Sequence, residues 1–252
     1  MKIHADLKDV LESILEADYK ANPIHEEWVK WGRDIDAKYP ACLESYRGQS
    51  PLNPYVFIDR FSNVLDDDDK VICGNGSACV VTFQGMHIKS GTRLFTNSGC
   101  AAMGYGFPAA VGCAVSQEGK RVICIDGDGS FQMNIQEMQT VIYNKLNLKT
   151  FIINNNGYHS IRQTQTNLFE PPMVGVCDGN GLSFPDLEKL SWAYGMRYVK
   201  ITEESEIEAK VKEALSGDDP VLCEVVVSDK QNFAPKLSSK VLPDGKIVSP
   251  PI

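Results

Sequence analysis

Residues 122–134 read VICIDGDGSFQMN, an apolar run that stops abruptly at an acidic turn with two glycines. The run Val122–Ile125 is typical of a strand that is buried on both faces. After the turn DGDG, a helix-like segment begins at Ser130. Ligands of open parallel sheets bind outside the carboxyl ends of the strands. The stretch therefore predicts a buried parallel strand with a polar site at its end.

Apolar strand candidates alternate with helical stretches along the middle of the chain. The predicted strands are Val71–Cys73, Val122–Ile125, Phe151–Ile153, Tyr198–Ile201 and Val221–Val227. The predicted helices are Pro54–Val64, Met103–Val115, Phe131–Leu146, Pro185–Ala193 and Glu203–Leu215. Strands that alternate with helices form parallel sheets. We therefore predict an α/β fold, a doubly wound and mostly parallel sheet with helices on both faces.

Three regions differ in pattern. Residues 1–50 carry an amphipathic helix over 7–15 and a second helical stretch with two tryptophans, and we interpret this region as a helical linker or the remnant of a preceding domain. Residues 51–230 form the predicted α/β domain. Residues 231–252 contain four prolines and predict an extended arm.

Composition and charge exclude some classes of function. The 252 residues carry a formal net charge of −8, and no basic stripe that would neutralise nucleic-acid phosphates is visible. No apolar run reaches 18 residues, and the N-terminus has no apolar core of a secretion signal. The eight cysteines include no C-x-x-C pair, so we interpret them as reduced, mostly buried residues. A cytoplasmic protein without a nucleic-acid or membrane partner is expected.

Polar residues follow two consecutive predicted strands and could bind one ligand together. Asp128 follows one strand and Asn155 follows the next, and one helix and one strand lie between them. Their oxygens, with the backbone carbonyl of Gly157, form a donor set that suits Mg²⁺ and leaves positions for a phosphorylated ligand. The amides of Gly129 and Ser130, at a helix N-terminus, would favour the same anion. Alternatively, the stretch DGDG is only a tight turn with Ser130 as a helix cap.

These stretches resemble a known family. The segment GDGSFQMNIQEMQTVIYNKLNLKTFIINNNGY, residues 127–158, resembles the motif of thiamine diphosphate enzymes, and of the acetolactate synthase group in particular. The similarity extends through GCAAMGYGFPAAVGCAV and LSFPDLEKLSWAYGM, at residues 99–115 and 182–196. The resemblance implies a diphosphate-binding domain over about residues 50–230. It also implies that Asp128, Asn155 and the Gly157 carbonyl bind Mg²⁺.

The same resemblance assigns the rest of the cofactor site. It implies that Met103 is the bulky wedge under the cofactor, and that the Ala101 carbonyl and the Met103 amide bind the aminopyrimidine. The family usually has glycine at position 101. The loop Asn75, Gly76 and Ser77 resembles the one that contacts the diphosphate from the other side. Alternatively, Met103 only fills the core and residues 75–77 only form a turn.

A nicotinamide cofactor is the competing hypothesis. Gly104, Gly106 and Ala109 match the pattern G-x-G-x-x-A, and Asp126 lies 20 residues after the second glycine. The dinucleotide fold needs a strand directly before the first glycine, and the sequence there is polar and small. An NAD(P)-dependent oxidoreductase is therefore the less favoured alternative.

The resemblance also indicates what lies outside this sequence. In the family, an activating glutamate belongs to a separate pyrimidine-binding domain, so the catalytic residues of this chain are unknown. His159 and Arg162 lie where they could reach a substrate, but we assign neither a catalytic role. We expect this chain to supply half of an active site that acts on a 2-oxo acid, and to be inactive alone. It would be either a truncated domain or a natural subunit of a split enzyme, and a homodimer is expected. Thr164 stands where acetolactate synthases carry tryptophan, which suggests another acceptor or a related lyase. A non-catalytic cofactor-binding subunit is a further alternative.

Overall fold

A computed structural model describes residues 2–235 and 240–248, apart from the side chain of Lys240. The chain divides into two compact units, Met1–Pro40 and Ala41–Ile252. The first unit contains α1, Leu7–Glu16, and α2, Ile24–Lys38, and no residue of either helix is buried. Both helices agree with the predicted ones, whereas the three-part division at residues 50 and 230 stays a prediction.

The second unit is built on a six-stranded sheet in which every pairing is parallel. The strands are β1 Lys70–Cys73, β2 Arg93–Phe95, β3 Val122–Gly127, β4 Leu148–Asn154, β5 Arg197–Ile201 and β6 Val221–Val226. Their order is β2-β1-β3-β4-β6-β5. The helices are α3 Pro54–Val64, α4 Gly76–Gly85, α5 Gly106–Ser116, α6 Asp128–Phe131, α7 Glu137–Tyr143, α8 His159–Leu168, α9 Leu187–Tyr194 and α10 Ile207–Leu215. The predicted fold class is confirmed.

Two apolar layers hold the helices on the sheet. On one face, α3, α4 and α10 pack in a cluster in which the rings of Phe61 and Phe151 meet edge to face at 5.0 Å. On the other face, α5, α6, α7 and α9 pack in a cluster in which the rings of Phe107 and Phe131 meet at 4.9 Å. These four rings are fully buried. Burial of each ring contributes roughly 1.5–3 kcal/mol to stability relative to an exposed ring. The two layers therefore hold the helices firmly against the sheet.

Local signals explain several helix ends. The side chain of Asn53 accepts a hydrogen bond from the Tyr55 amide at 2.9 Å, and Pro54 occupies the first turn of α3. The side chain of Asp186 accepts from two amides of α9. The predicted start of α9 at Pro185 is therefore two residues early. Gly195 ends α9 at a φ of 70°, a conformation that glycine adopts readily.

Other elements differ from the prediction. The predicted helix 131–146 is divided between α6 and α7, with a 3₁₀ turn at Gln132–Asn134 between them, where the side chain of Asn134 donates to the Gly104 carbonyl at 2.6 Å. The helix predicted from Met103 begins at Gly106, and the one predicted from Glu203 begins with a 3₁₀ turn at Glu204–Glu206. Strand β2 and helices α4 and α8 were not predicted.

The predicted arm over 231–252 is described only in part. Two short antiparallel strands, β7 Lys240–Val241 and β8 Ile247–Val248, pair with each other. Residues 236–239 and 249–252 lie outside the described residues. The eight cysteines are free, and Cys73, Cys124 and Cys223 are buried in strands. Within the described part of the chain, no helix combines the length and the apolar character that a membrane crossing needs.

Candidate functional site

Asp128 follows β3 and contacts the loop after β4. Its side chain is only 4% exposed. One carboxylate oxygen accepts a hydrogen bond from the Gly129 amide at 2.7 Å, and the other accepts from the Gly157 amide at 2.9 Å. Because β3 and β4 are neighbours, the carboxylate links the end of β3 to the loop after β4.

Asn155, in that loop, presents an amide oxygen that is free to bind a ligand. Its Nδ2 donates to the Ser77 Oγ at 3.0 Å, which orients the side-chain amide. The Oδ1 atom is buried and has no hydrogen-bond partner among the described residues. A buried oxygen without a partner costs free energy, so this atom is a candidate ligand for a cation.

The loop backbone itself is held in an uncommon conformation. Asn156 has a φ of 57° and Gly157 a φ of 131°. A Cβ atom on Gly157 would lie 2.1 Å from the Val176 carbonyl oxygen, so glycine is required here. The Gly157 carbonyl oxygen accepts from the His159 amide at 3.1 Å and keeps a second lone pair.

Nine of the ten predicted site residues line one cleft at this edge of the sheet. They are Asn75, Gly76, Ser77, Met103, Asp128, Gly129, Ser130, Asn155 and Gly157. The remaining lining residues are Gly127, Tyr158, His159, Ser160 and Ile161. The tenth predicted residue, Ala101, is exposed and is not part of the lining. The cleft therefore gathers residues from the ends of β1, β3 and β4 and from the segment before α5.

Helix α4 begins at the cleft. Asn75 precedes the helix, and Gly76 and Ser77 form its start. The amides of a first helical turn have no partner inside the helix and favour an anion. The helix that contains Ser130, α6, has only four residues, and the Gly129 amide donates to Asp128, so anion binding by the Gly129 and Ser130 amides stays a prediction. Anion binding by a helix N-terminus is therefore expected from α4.

The segment before α5 presents Met103 to the cleft. Its side chain is 36% exposed. The next residue, Gly104, has a φ of 80° and donates its amide to the Ser130 Oγ at 2.8 Å. Ala101 has a φ of 50°, a conformation that costs less for glycine. The predicted roles of Ala101 and Met103 in binding a pyrimidine ring stay predictions.

Burial raises the pKa of two aspartates here. Burial raises the pKa of Asp128 to about 6, whereas hydrogen bonds from the Gly157 and Gly129 amides and the nearby Arg162 charge oppose the rise. Burial also raises the pKa of Asp126 to about 6. A divalent cation near Asp128 would favour its ionised form.

Asp126 has a structural role that the sequence did not indicate. Its carboxylate is fully buried. A Cβ atom on Gly74 would lie 2.0 Å from one of its oxygens, and a Cβ atom on Gly106 would lie 2.7 Å from the other. Asp126 therefore explains both glycines and is inaccessible to the ribose of a dinucleotide. Residues 96–105 contain no strand, so the pattern at Gly104 lacks the strand that a dinucleotide site requires.

Three residues of α8 and its start were missed or not assigned. Tyr158 lines the cleft, and its ring packs on Gly129 so closely that a Cβ atom there would lie 2.2 Å from Cε1. His159 is 6% exposed, and its ring lies 5.4 Å from that of Phe233. Arg162 is 9% exposed and donates to backbone carbonyls. No sequence pattern marks these contacts, because they depend on the packing of α8.

The predicted metal ligands Asp128, Asn155 and Gly157 are not a cluster of histidine, cysteine or acidic side chains. Among the described residues, no group of three histidine, cysteine or acidic side chains could hold a metal. Here Asp128, Asn155 and Gly157 line one cleft instead, and their predicted ligand atoms are a carboxylate, an amide oxygen and a backbone carbonyl. Oxygen ligands of this kind suit Mg²⁺ better than zinc.

A family model matches this region. Residues 74–225, which contain the whole cleft, match the model described as thiamine pyrophosphate enzyme, C-terminal TPP binding domain. The chain belongs to this family. The TPP-binding domain implies thiamine diphosphate as the cofactor, and the matched range agrees with the six-stranded parallel sheet and its flanking helices.

Relatives of the TPP-binding domain include acetolactate synthases. The chain is 26% identical to the acetolactate synthase isozyme 1 large subunit of Escherichia coli over 92% of its own length and 40% of that protein. It is 33% identical to the acetolactate synthase large subunit of Cyanidium caldarium over 58% of its own length and 25% of that protein. The chain thus spans at most about two fifths of these relatives.

A solved structure shows the same fold. The benzoylformate decarboxylase from Polynucleobacter necessarius aligns with a TM-score of 0.67 and 23% identity, and covers 77% of this chain and 36% of that one. At this identity, the similarity shows the fold of the TPP-binding domain and not its substrate.

Proposed function

We propose that this chain supplies the diphosphate-binding half of an acetolactate synthase-like enzyme. The enzyme decarboxylates a 2-oxo acid and joins the remaining fragment to an acceptor. One observation carries the proposal. The partnerless Oδ1 of Asn155 and the buried carboxylate of Asp128 line the same cleft, beside the start of α4.

The residues of the cleft fit Mg²⁺ and a diphosphate. Asp128, the Asn155 Oδ1 and the Gly157 carbonyl are the proposed ligands, three hard oxygens that leave positions for phosphate oxygens and water. A cation would also offset the burial of the Asp128 carboxylate, whose pKa is raised in its absence. The amides at Gly76 and Ser77 would bind the phosphate oxygens directly.

In this proposal the cofactor carries the chemistry and the chain binds the cofactor. When bound, thiamine diphosphate supplies the electron sink for decarboxylation and carbon–carbon bond formation. The chain would anchor the diphosphate through the metal ligands Asp128, Asn155 and Gly157, and Met103 would support the organic part. The glutamate that activates the cofactor is proposed to lie on a pyrimidine-binding domain, so no residue of this chain is assigned as catalytic.

The acetolactate synthase relatives support the 2-oxo acid as substrate class. Thr164 lies in α8, where its Oγ1 donates to the Ser160 carbonyl at 3.0 Å. A small polar residue at this position favours an acceptor other than that of the acetolactate synthases. A homodimeric state remains part of the proposal by analogy with the family. Location in the cytoplasm also remains part of the proposal, and it rests on the interpretation of the cysteines as reduced.

Calorimetry with thiamine diphosphate tests the proposal. We expect the wild-type chain to bind the cofactor in the presence of Mg²⁺, and to bind it at least tenfold more weakly with EDTA. Asp128→Asn and Asn155→Ala should lose the Mg²⁺ dependence, because the first removes the negative charge of one metal ligand and the second removes a metal ligand. Asn144→Ala is the matched control, since Asn144 is exposed and its side chain only bonds the Thr140 carbonyl.

Three outcomes would contradict the proposal. One is equal binding with and without Mg²⁺. Another is unchanged binding by Asp128→Asn and Asn155→Ala. The third is a fluorescence change of NADH on mixing with the chain, which would favour the nicotinamide alternative.

A further inference from the structure

Arg162 places a buried positive charge behind the loop after β4. Helix α8 carries this residue, which is 9% exposed. Its Nη2 donates to the Asn156 carbonyl at 2.7 Å, both terminal nitrogens lie 3.3 Å from the Asn155 carbonyl, and Nη1 donates to the Asp229 carbonyl at 3.2 Å. Within the described residues, its hydrogen-bond partners are thus backbone carbonyls, while its charge acts on the Asp128 carboxylate without a hydrogen bond.

A guanidinium in this position needs an explanation other than stability. Taking a cation out of water costs several kcal/mol, and neutral carbonyls offset this cost less well than a carboxylate does. A guanidinium does, however, hold several acceptors in one fixed plane, which the amino group of lysine does not. The observed contacts use that geometry on two consecutive carbonyls of one loop.

The loop that Arg162 contacts is the one that needs support. Asn156 has a φ of 57° and Gly157 a φ of 131°, conformations that persist only where surrounding contacts hold them. The loop also orients two of the proposed metal ligands, the Asn155 side chain and the Gly157 carbonyl. Fixing the carbonyls of residues 155 and 156 fixes the planes of both peptide groups between these ligands.

The contact to Asp229 adds a second element. Asp229 follows β6, and the next residues of that segment pack beside α8, where the ring of Phe233 meets that of His159 at 5.4 Å. Further along, the Ala234 amide donates to the Tyr55 hydroxyl at 3.0 Å. Arg162 therefore bridges the loop after β4 to a segment that is itself fastened to the core.

We propose that Arg162 is a positioning residue of the metal site, which fixes the Asn155–Gly157 loop and joins it to the segment after β6. The inference rests on the proposed function for the identity of the ligands. The conformation of the Asn155–Gly157 loop is a property of the chain without ligand. The role of Arg162 and the proposed function can therefore fail separately.

Hydrogen exchange of the full chain without ligand tests the loop. The Asn156 amide donates to the Asn154 Oδ1 and the Gly157 amide to Asp128, so both amides are protected while the loop is held. In Arg162→Lys and Arg162→Gln, we expect both amides to exchange at least about tenfold faster, with the central strands unchanged. Unchanged exchange of these two amides would overturn the proposal.

Mg²⁺ titration separates positioning from a merely structural role. Thiamine diphosphate binding is followed as Mg²⁺ increases. Arg162→Lys should raise the half-saturating Mg²⁺ concentration about tenfold, in the range seen when residues behind metal ligands are changed. An unchanged Mg²⁺ requirement, or faster exchange throughout the sheet with a lower melting temperature, would overturn the proposal. If the wild type does not bind the cofactor, the proposed function fails, while the exchange result still decides whether Arg162 holds the loop.

Arg197→Lys is the matched control. Arg197 also donates to three backbone carbonyls, those of Glu213, Ala214 and Ser216, away from the cleft. We expect this variant to change exchange only near the end of α10 and to leave the Mg²⁺ requirement as in the wild type. An equal change of the Mg²⁺ requirement in both variants would contradict a specific role of Arg162.

Discussion

The two glycines around Asp128 look equivalent in the sequence but differ in the structure. A Cβ atom on Gly127 meets no atom within 4 Å among the described residues. A Cβ atom on Gly129 would lie 2.2 Å from the Tyr158 ring. Gly129 is therefore needed for packing of the chain itself, whereas the chain alone gives no steric reason for Gly127.

Alanine substitutions of these glycines should separate the two cases. Gly129 lies in α6, where alanine would otherwise favour the helix by about 1 kcal/mol. We expect the clash to prevail, so that Gly129→Ala lowers the free energy of unfolding by about 1–3 kcal/mol. Gly127→Ala should change it by less than about 0.5 kcal/mol. Urea unfolding of both variants measures the difference.

A double-mutant cycle identifies the partner of Gly129. Tyr158→Leu removes the ring that the added methyl group would meet. The combined change Gly129→Ala with Tyr158→Leu should cost less than the sum of the two single changes, with an interaction free energy of about 1 kcal/mol or more. Strict additivity would show that Tyr158 is not the cause.

At the scale of elements, apolar pattern predicted those strands and helices that bury an apolar face. It failed for α8, HSIRQTQTNL, because this helix has few apolar residues and buries polar ones, among them His159 and Arg162. It failed for α4, which combines glycine, serine and β-branched residues of low helix propensity. Strand β2 has only three residues at the edge of the sheet. In each case, tertiary contacts stabilise what local preference does not.

Strand β4 carries a buried lysine that should make stability depend on pH. The side chain of Lys149 is fully buried, and its Nζ donates to the Gly217 and Asp219 carbonyls at 2.9 and 2.5 Å. Burial lowers its pKa to about 8, below the roughly 10.4 of an unfolded lysine. Between these pH values the unfolded state binds more protons, so the contribution of Lys149 to the free energy of unfolding rises with pH.

Comparison with Lys149→Met measures this effect. From pH 7.5 to pH 10, we expect the unfolding free energy of the wild type to rise relative to the variant, by up to about 3 kcal/mol. Urea unfolding across this range gives the difference. Lys120→Met, at an exposed position, is the control and should show no such trend. A difference that stays constant with pH would show that Lys149 has an ordinary pKa.

At the scale of the whole molecule, the cleft is small for its proposed ligand. Its volume is about 90 Å³, whereas small-molecule sites usually offer roughly 300–1,000 Å³. The chain also spans 40% or less of the length of the two acetolactate synthases described above. The small volume of the cleft supports the proposal that another domain completes the site.

Complementation tests this view. We expect the purified chain with Mg²⁺ and thiamine diphosphate to release little or no CO₂ from pyruvate or other 2-oxo acids. Addition of a pyrimidine-binding domain from a related enzyme should restore turnover, because it supplies the activating glutamate. Asp128→Asn should remain inactive in the same mixture.

Two results would change this conclusion. Steady decarboxylation by the chain alone would show that it contains a complete site. Tight cofactor binding without activity in any mixture would favour a non-catalytic cofactor-binding subunit.

The pattern of apolar runs and turns was enough to predict the layered α/β fold and the polar residues at the strand ends. Solid apolar strands must be buried on both faces, and the parallel order that follows brings Asp128 and Asn155 to one edge of the sheet. Which atoms face the cleft depends on contacts between distant parts of the folded chain. The orientation of the Asn155 amide depends on Ser77, 78 residues earlier, and Arg162 donates to the carbonyls of Asn155 and Asn156. Such choices depend on packing between elements that are distant in sequence, and no local pattern records them.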